Sequence, residues 1–153
     1  MRINTLKDIG NLPDENSKRF VAVLNKKIEL GKLMNALGHL TVGLVVCNDK
    51  QDDFYFLEYE DNDGKKHLGA SHFPFIVLKA DNSNKIRVVR NEAIKRNIPF
   101  TDFTSTMSIG TTEEQMQATK KTAEADLEYF GICLFGTTQE LKEITDKFSL
   151  FRN

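Results

Sequence analysis

The run RFVAVLN, Arg19 to Asn25, followed closely by GKLMNALGH, Gly31 to His39, decides how this chain folds. The first stretch is a short β-branched and aromatic run of the kind that makes a buried strand. In the second, Leu33, Leu37, Leu40 and Leu44 recur at i, i+4, i+7 and i+11, which predicts a helix with an apolar stripe. Strand, loop and helix in this order open an α/β fold. A further set, Lys32, Asn35, Ala36 and His39, recurs at i, i+3, i+4 and i+7 and shares a neighbouring face of the same helix. Its polar members make that face the first candidate site.

Outward from this unit, residues 1–17 are polar, contain Pro13 and read as a leader, with a single domain over 18–153. FYFLEYEDNDGKKHLGAS predicts a hairpin turning at Asp63-Gly64. FPFIVLKA is a core strand whose start is marked by Pro74. Asn84 can cap a helix through KIRVVRNEAIKRN, where Ile86, Val89, Ala93 and Ile94 keep helical spacing. IPFTDFTSTM returns as a strand. Thr111 or Thr112 can cap EEQMQATKKTAEA, with Glu114 or Gln115 offering the reciprocal bond of a capping box. LEYFGICLFG reads as a buried strand, and TTQELKEITDKFSLF as a closing helix with Leu141, Ile144 and Phe148 on one side. Alternating strands and helices predict a three-layer α/β/α sandwich with a mixed sheet.

Composition bounds the function classes. At 153 residues and 40% apolar content, one globular domain would bury about two-thirds of its unfolded surface. A net charge of -1, from 21 basic and 22 acidic residues, gives no general attraction to nucleic acid. Cys47 and Cys133 fall in segments that read as buried, and reduced thiols fit a cytoplasmic protein. The amino terminus lacks the apolar run of a signal peptide, no later segment approaches the roughly 18 apolar residues of a membrane span, and no membrane partner is expected. His39, His67 and His72 lack a ligand spacing, and IGTTEEQ lacks the glycine pattern of a phosphate loop, so no metal and no cofactor are expected. FTSTM lacks the G-x-S-x-G turn that exposes a serine nucleophile.

The order of elements and two motifs resemble the type-II peptidyl-tRNA hydrolases. That family carries G-K-x-A-A-Q-x-x-H, and GKLMNALGH keeps Gly31, Lys32 and His39 at the same spacing. It also carries D-A-G-R-T-Q before a strand reading V-L-G-I-G. Here DFTSTM is followed, after an insertion, by YFGICLFG. In addition, SHFPFIVLKADN, FTSTM, YFGICLFG and KFSLFR resemble the landmarks of a bacterial family of unknown function with the same fold, over about residues 17–152. The hydrolase resemblance implies that Lys32 engages substrate, that His39 is the helix histidine, and that Asp102 and Thr106 are the aspartate and threonine of the second motif. It also brings tRNA into view as a substrate. Three positions depart from the pattern: the family's glutamine falls on Ala36, its arginine on Ser105, and an insertion spans roughly Ser108 to Asp126. Ala36 has no polar group to position a water.

The residues themselves support two readings. Lys32, in the first turn of its helix, lies where anions are favoured. Asp102 is the only acid in an apolar, hydroxyl-rich strand, and pairing with Lys32 would let it orient a water for attack on an ester. The alternative is that Asp102 bonds the nearby hydroxyls of Thr104 and Ser105. The first reading is a hydrolase with Lys32, Asp102 and Thr106 as catalytic residues and Asn35, His39 and Ser105 as binding residues. The second is a non-catalytic module that binds a small anionic ligand or a protein, presenting the hairpin and the 108–126 segment. The aromatic hairpin, with Phe54, Tyr55, Phe56 and Tyr59, further predicts a homodimer. A single-chain mass in light scattering would defeat that expectation.

Overall fold

The computed structural model describes residues 4–6, 11–50 and 53–152. Among the described residues, eight strands run in chain order: β1 (Asn4–Leu6), β2 (Lys18–Asn25), β3 (Tyr55–Glu60), β4 (Lys66–Ser71), β5 (Phe75–Ala80), β6 (Phe100–Thr104), β7 (Tyr129–Thr137) and β8 (Ser149–Leu150). The α-helices among the same residues are α1 (Leu30–Cys47), α2 (Ser83–Lys95), α3 (Thr112–Lys121) and α4 (Thr138–Thr145). The main sheet has the order β6-β7-β2-β5-β8, and a smaller one the order β1-β3-β4. β2 is parallel to β5 and antiparallel to β7, which is antiparallel to β6. The main sheet is therefore mixed.

The burial of β2 explains the layers. Its side chains alternate, so Phe20, Ala22 and Leu24 join one core cluster while Val21 and Val23 join another. The first cluster takes Leu33, Ala36, Leu40 and Leu44 of α1. The second takes Ile86, Val89 and Ala93 of α2 with Leu141 and Ile144 of α4. Helices thus cover both faces of the sheet, and each fully buried Leu or Ile contributes on the order of 1.5–3 kcal/mol of transfer free energy. The innermost stripe of α1 differs from expectation in one member: Ala36 is fully buried, whereas Leu37 packs at the margin. The inner edge of the Lys32 face is consequently part of the core.

Several boundaries also differ. Asn82, not Asn84, caps α2, its side chain accepting from the Lys85 N–H at 3.1 Å. β6 stops at Thr104 and Ser105–Met107 form a 3-10 turn instead of continuing the strand. α4 ends at Thr145, and Ser149–Leu150 return to pair with β5. The hairpin forms at the expected turn, with Gly64 at φ 77°, but joins the small sheet rather than the main one. Within the expected leader, Asn4–Leu6 pair in parallel with β3, and His72 Nε2 lies 2.7 Å from the Pro13 carbonyl. Positions 1–3 and 7–10 of that leader lie outside the described residues. Cys47 is exposed at the end of α1, contrary to its sequence reading, while Cys133 is buried. α1 itself has the length and apolarity of a membrane span, with 18 residues at a mean hydropathy of 1.4. Its inner stripe packs on the sheet, as a core helix does.

Candidate functional site

β2, β5 and β6 run in the same direction, so their carboxyl ends share one edge of the sheet. The chain leaves β2 through α1 on one face and leaves β5 through α2 on the other. Where successive crossovers take opposite faces, α/β sheets bind ligands beyond the carboxyl ends of their strands, which makes this edge the candidate site. Asn25 shapes this edge. It is 2% exposed, its Nδ2 donates to the Tyr129 carbonyl at 3.0 Å, and its Oδ1 accepts from the Lys27 N–H at 3.0 Å. One side chain thereby joins the end of β2 to the start of β7 and sets the turn into α1. The first turn of α1 follows Glu29, which makes no side-chain cap bond.

The polar face of α1 turns toward β6. Thr101 donates its hydroxyl to the Leu40 carbonyl at 2.7 Å, and His39 lies on the Phe103 ring with centroids 5.6 Å apart. As β6 advances from Thr101 to Phe103, its partners on α1 step back from Leu40 to His39, toward the helix start that carries Lys32 and Asn35. Lys32, Asn35 and His39 are all exposed, and Ser105 and Thr106 are half-buried. Among the described residues, no carboxylate forms an ion pair with Lys32.

Asp102 does not belong to that face. Thr101 and Phe103 point toward α1, so strand alternation sends Asp102 to the opposite side, with Phe100 in the α2 cluster. There its carboxylate takes Arg90 Nε of α2 at 2.8 Å, and the guanidinium lies over the Phe100 ring at 5.6 Å. Partial burial works against the Arg90 charge, but the Asp102 hydrogen bond and nearby carboxylates outweigh it and raise its pKa. The expected Lys32–Asp102 pair is therefore absent, because the sheet stands between the two side chains.

Thr106 has a task of its own. Thr119 donates its hydroxyl to the Gln115 carbonyl at 2.8 Å, so the 2.8 Å contact between Thr106 and Thr119 must use the Thr106 proton. The 2.8 Å contact between Thr104 and Thr106 then uses the proton of Thr104. This chain of hydroxyls fastens α3 to the end of β6 and leaves Thr106 able only to accept. Ser105 donates its N–H to the Glu128 carbonyl at 2.9 Å, holding the same turn against the start of β7.

A family described as a protein of unknown function, DUF2000, matches residues 18–152, from the start of β2 past the end of β8. The chain belongs to the DUF2000 family. Among solved structures it is similar to a protein of unknown function, Atu0240, from Agrobacterium tumefaciens strain C58, at 17% identity and a TM-score of 0.75. The alignment covers 89% of this chain and 98% of that one, and it establishes a shared fold. Comparison with curated proteins gave no match.

A bulge gives this DUF2000 chain a cluster that its sequence does not announce. Across from β6, Phe103 pairs with Gly131 and Thr104 with Tyr129, so Phe130 is the extra residue of β7. Phe130 lies in the α1 cluster, and Tyr129 is thrown to the α2 side. There the Tyr129 hydroxyl donates to Glu124 at 2.8 Å, and Arg87 of α2 takes the same carboxylate at 3.0 Å while lying over the Tyr129 ring. Arg87 also reaches the Leu127 carbonyl at 2.7 Å, so the 3-10 turn Glu124–Asp126 is clasped against α2. The 108–126 insertion is thus held at Thr119 and again at Glu124.

Burial, and then the bond to Glu124, push the Tyr129 phenol from 10.0 up to about 12. The folded state holds this proton more tightly than the unfolded chain, so the contribution is complete below pH 10.0 and is lost as pH rises toward about 12. In a Tyr55→Phe, Tyr59→Phe variant, where Tyr129 is the sole tyrosine, tyrosinate absorbance should appear near the upper value. Ionisation near pH 10 in the folded protein would contradict the burial and the Glu124 bond.

Proposed function

We propose that this protein is a non-catalytic binding module for a small anionic ligand, with Lys32 as its charged contact and Asn35, His39 and Ser105 as neighbours. In this reading the architecture is a relative of the type-II peptidyl-tRNA hydrolases that has kept the binding edge without the hydrolytic step. The observation that carries it is the placement of Asp102 against Arg90, across the sheet from Lys32. An acid held there cannot orient a water against a group bound by Lys32. The committed proton of Thr106 and the apolar Ala36 point the same way. The exposed Lys32 ammonium at the start of α1, close to uncapped backbone N–H groups, suits a phosphate or carboxylate. The two free thiols are compatible with residence in a reducing cytoplasm.

Titration of the uniformly nitrogen-labelled protein with inorganic phosphate tests the reading. Saturable shifts should centre on the amides of Gly31, Lys32 and Asn35. Lys32→Ala should weaken binding by about five- to tenfold while leaving stability within about 0.5 kcal/mol of wild type. Shifts scattered over surface lysines, or identical affinity in the variant, would refute it.

A further inference from the structure

The insertion carries a surface that the Lys32 edge does not explain. α3 has ten residues and none of them is buried. A helix of that length is marginal in water unless a face packs against something. Its start is closed by the Thr111–Glu114 capping box, and the Thr106–Thr119 hydroxyl bond tethers one side. The remaining side opens on a groove of about 540 Å³ formed with Met107 of the Ser105–Met107 turn.

The chemistry of the groove narrows its occupant. Met107 and Met116 supply the apolar floor, and Met116 is 70% exposed. Thioether side chains adapt to flexible aliphatic chains. Thr112, Gln115 and Thr119 provide neutral polar edges, and the lining holds one charge, Lys120, with no carboxylate. The volume falls in the range of about 300–1,000 Å³ used for small molecules. An apolar floor ending at a lone cation is complementary to an amphiphile with one anionic head.

We propose that this groove binds a medium-chain aliphatic carboxylate, with the chain across Met107 and Met116 and the head at the Lys120 ammonium. The inference does not depend on the reading of the Lys32 edge, and Lys32→Ala should leave it intact.

The test uses the full chain labelled with ¹³C at the methionine methyls and titrated with octanoate, with octylammonium as the charge-reversed probe. Octanoate should shift the Met107 and Met116 methyls saturably, leave the Met34 methyl in place, and act far more strongly than octylammonium. Lys120→Ala should weaken binding about three- to fivefold, the effect of losing one exposed charge pair. Met116→Asp should abolish it, and both positions lie on an open helix face where folding is retained. Absence of shifts at Met107 and Met116, an equal response to octylammonium, or equal movement of Met34 would overturn the proposal. So would methyl shifts that follow protein concentration alone, which would place a second copy in the groove.

Discussion

Asn25→Leu is expected to lower the free energy of unfolding by about 3 kcal/mol, although leucine keeps the branched, four-heavy-atom shape of the asparagine side chain and has a greater apolar surface. The side chain is 2% exposed and makes two hydrogen bonds, to the Tyr129 carbonyl and from the Lys27 N–H, each 3.0 Å long. Leucine removes both and leaves backbone groups without those partners, at about 1–3 kcal/mol for each buried group left unpaired. The loss should also be local, because Asn25 sets the turn that delivers Lys32 to the edge. Hydrogen exchange in the first turn of α1 should accelerate more than at Leu44. Asn25→Asp is the harsher test, since it keeps the acceptor for Lys27 but places a carboxylate against the Tyr129 carbonyl. Urea denaturation of both variants decides the matter: a change below about 1 kcal/mol for leucine would show that the edge does not rely on this side chain.

Gly131→Val should cost about 3 kcal/mol or more and should move α1. A β-carbon at Gly131 would lie 2.7 Å from Leu24 Cδ2, 3.1 Å from Leu40 Cδ1 and 3.3 Å from the Val23 carbonyl oxygen. Both leucines are core residues with little room to turn away, and overpacking of a filled core costs about 1–3 kcal/mol for modest additions. The absence of a side chain is what lets α1 sit close on β7. Gly131→Ala combined with Leu24→Ala should cost clearly less than the sum of the two single changes, because the second makes the space that the first needs. Additive losses in denaturant melts would mean that the close approach of α1 is not what requires glycine.

The strand–helix unit was legible because its signals are local and redundant. Arg19–Asn25 and Leu30–Cys47 combine strand composition with helical spacing, and both elements form within a residue or two of where the pattern puts them. The capping box was legible for the same reason, since Thr111 and Glu114 lie within one turn. The partner of Asp102 was not, because finding Arg90 needed the face on which Asp102 lies. That face follows from the alternation Thr101, Asp102, Phe103 once Phe103 is known to meet α1, which no local signal states. The Arg87, Glu124 and Tyr129 cluster was less accessible still. It depends on the extra residue Phe130, which reverses the side to which Tyr129 points, and a one-residue slip in a strand exchanges its two faces. Arg90 carried a usable signal, lying one helical turn from Ile86 and Ala93 at the border of the buried stripe, but only the partner strand shows what it meets.

Release of N-acetylated amino acid from an N-acetyl-aminoacyl-tRNA, followed with wild type, Lys32→Ala and Asp102→Asn at matched folded concentration, tests most directly whether the edge binds without hydrolysing. With Asp102 held by Arg90 on the far face of the sheet, wild type should give no turnover above the uncatalysed rate, and Asp102→Asn should change stability alone. Turnover by wild type that disappears in both variants would contradict the account, because it would require Asp102 to act on a group held by Lys32.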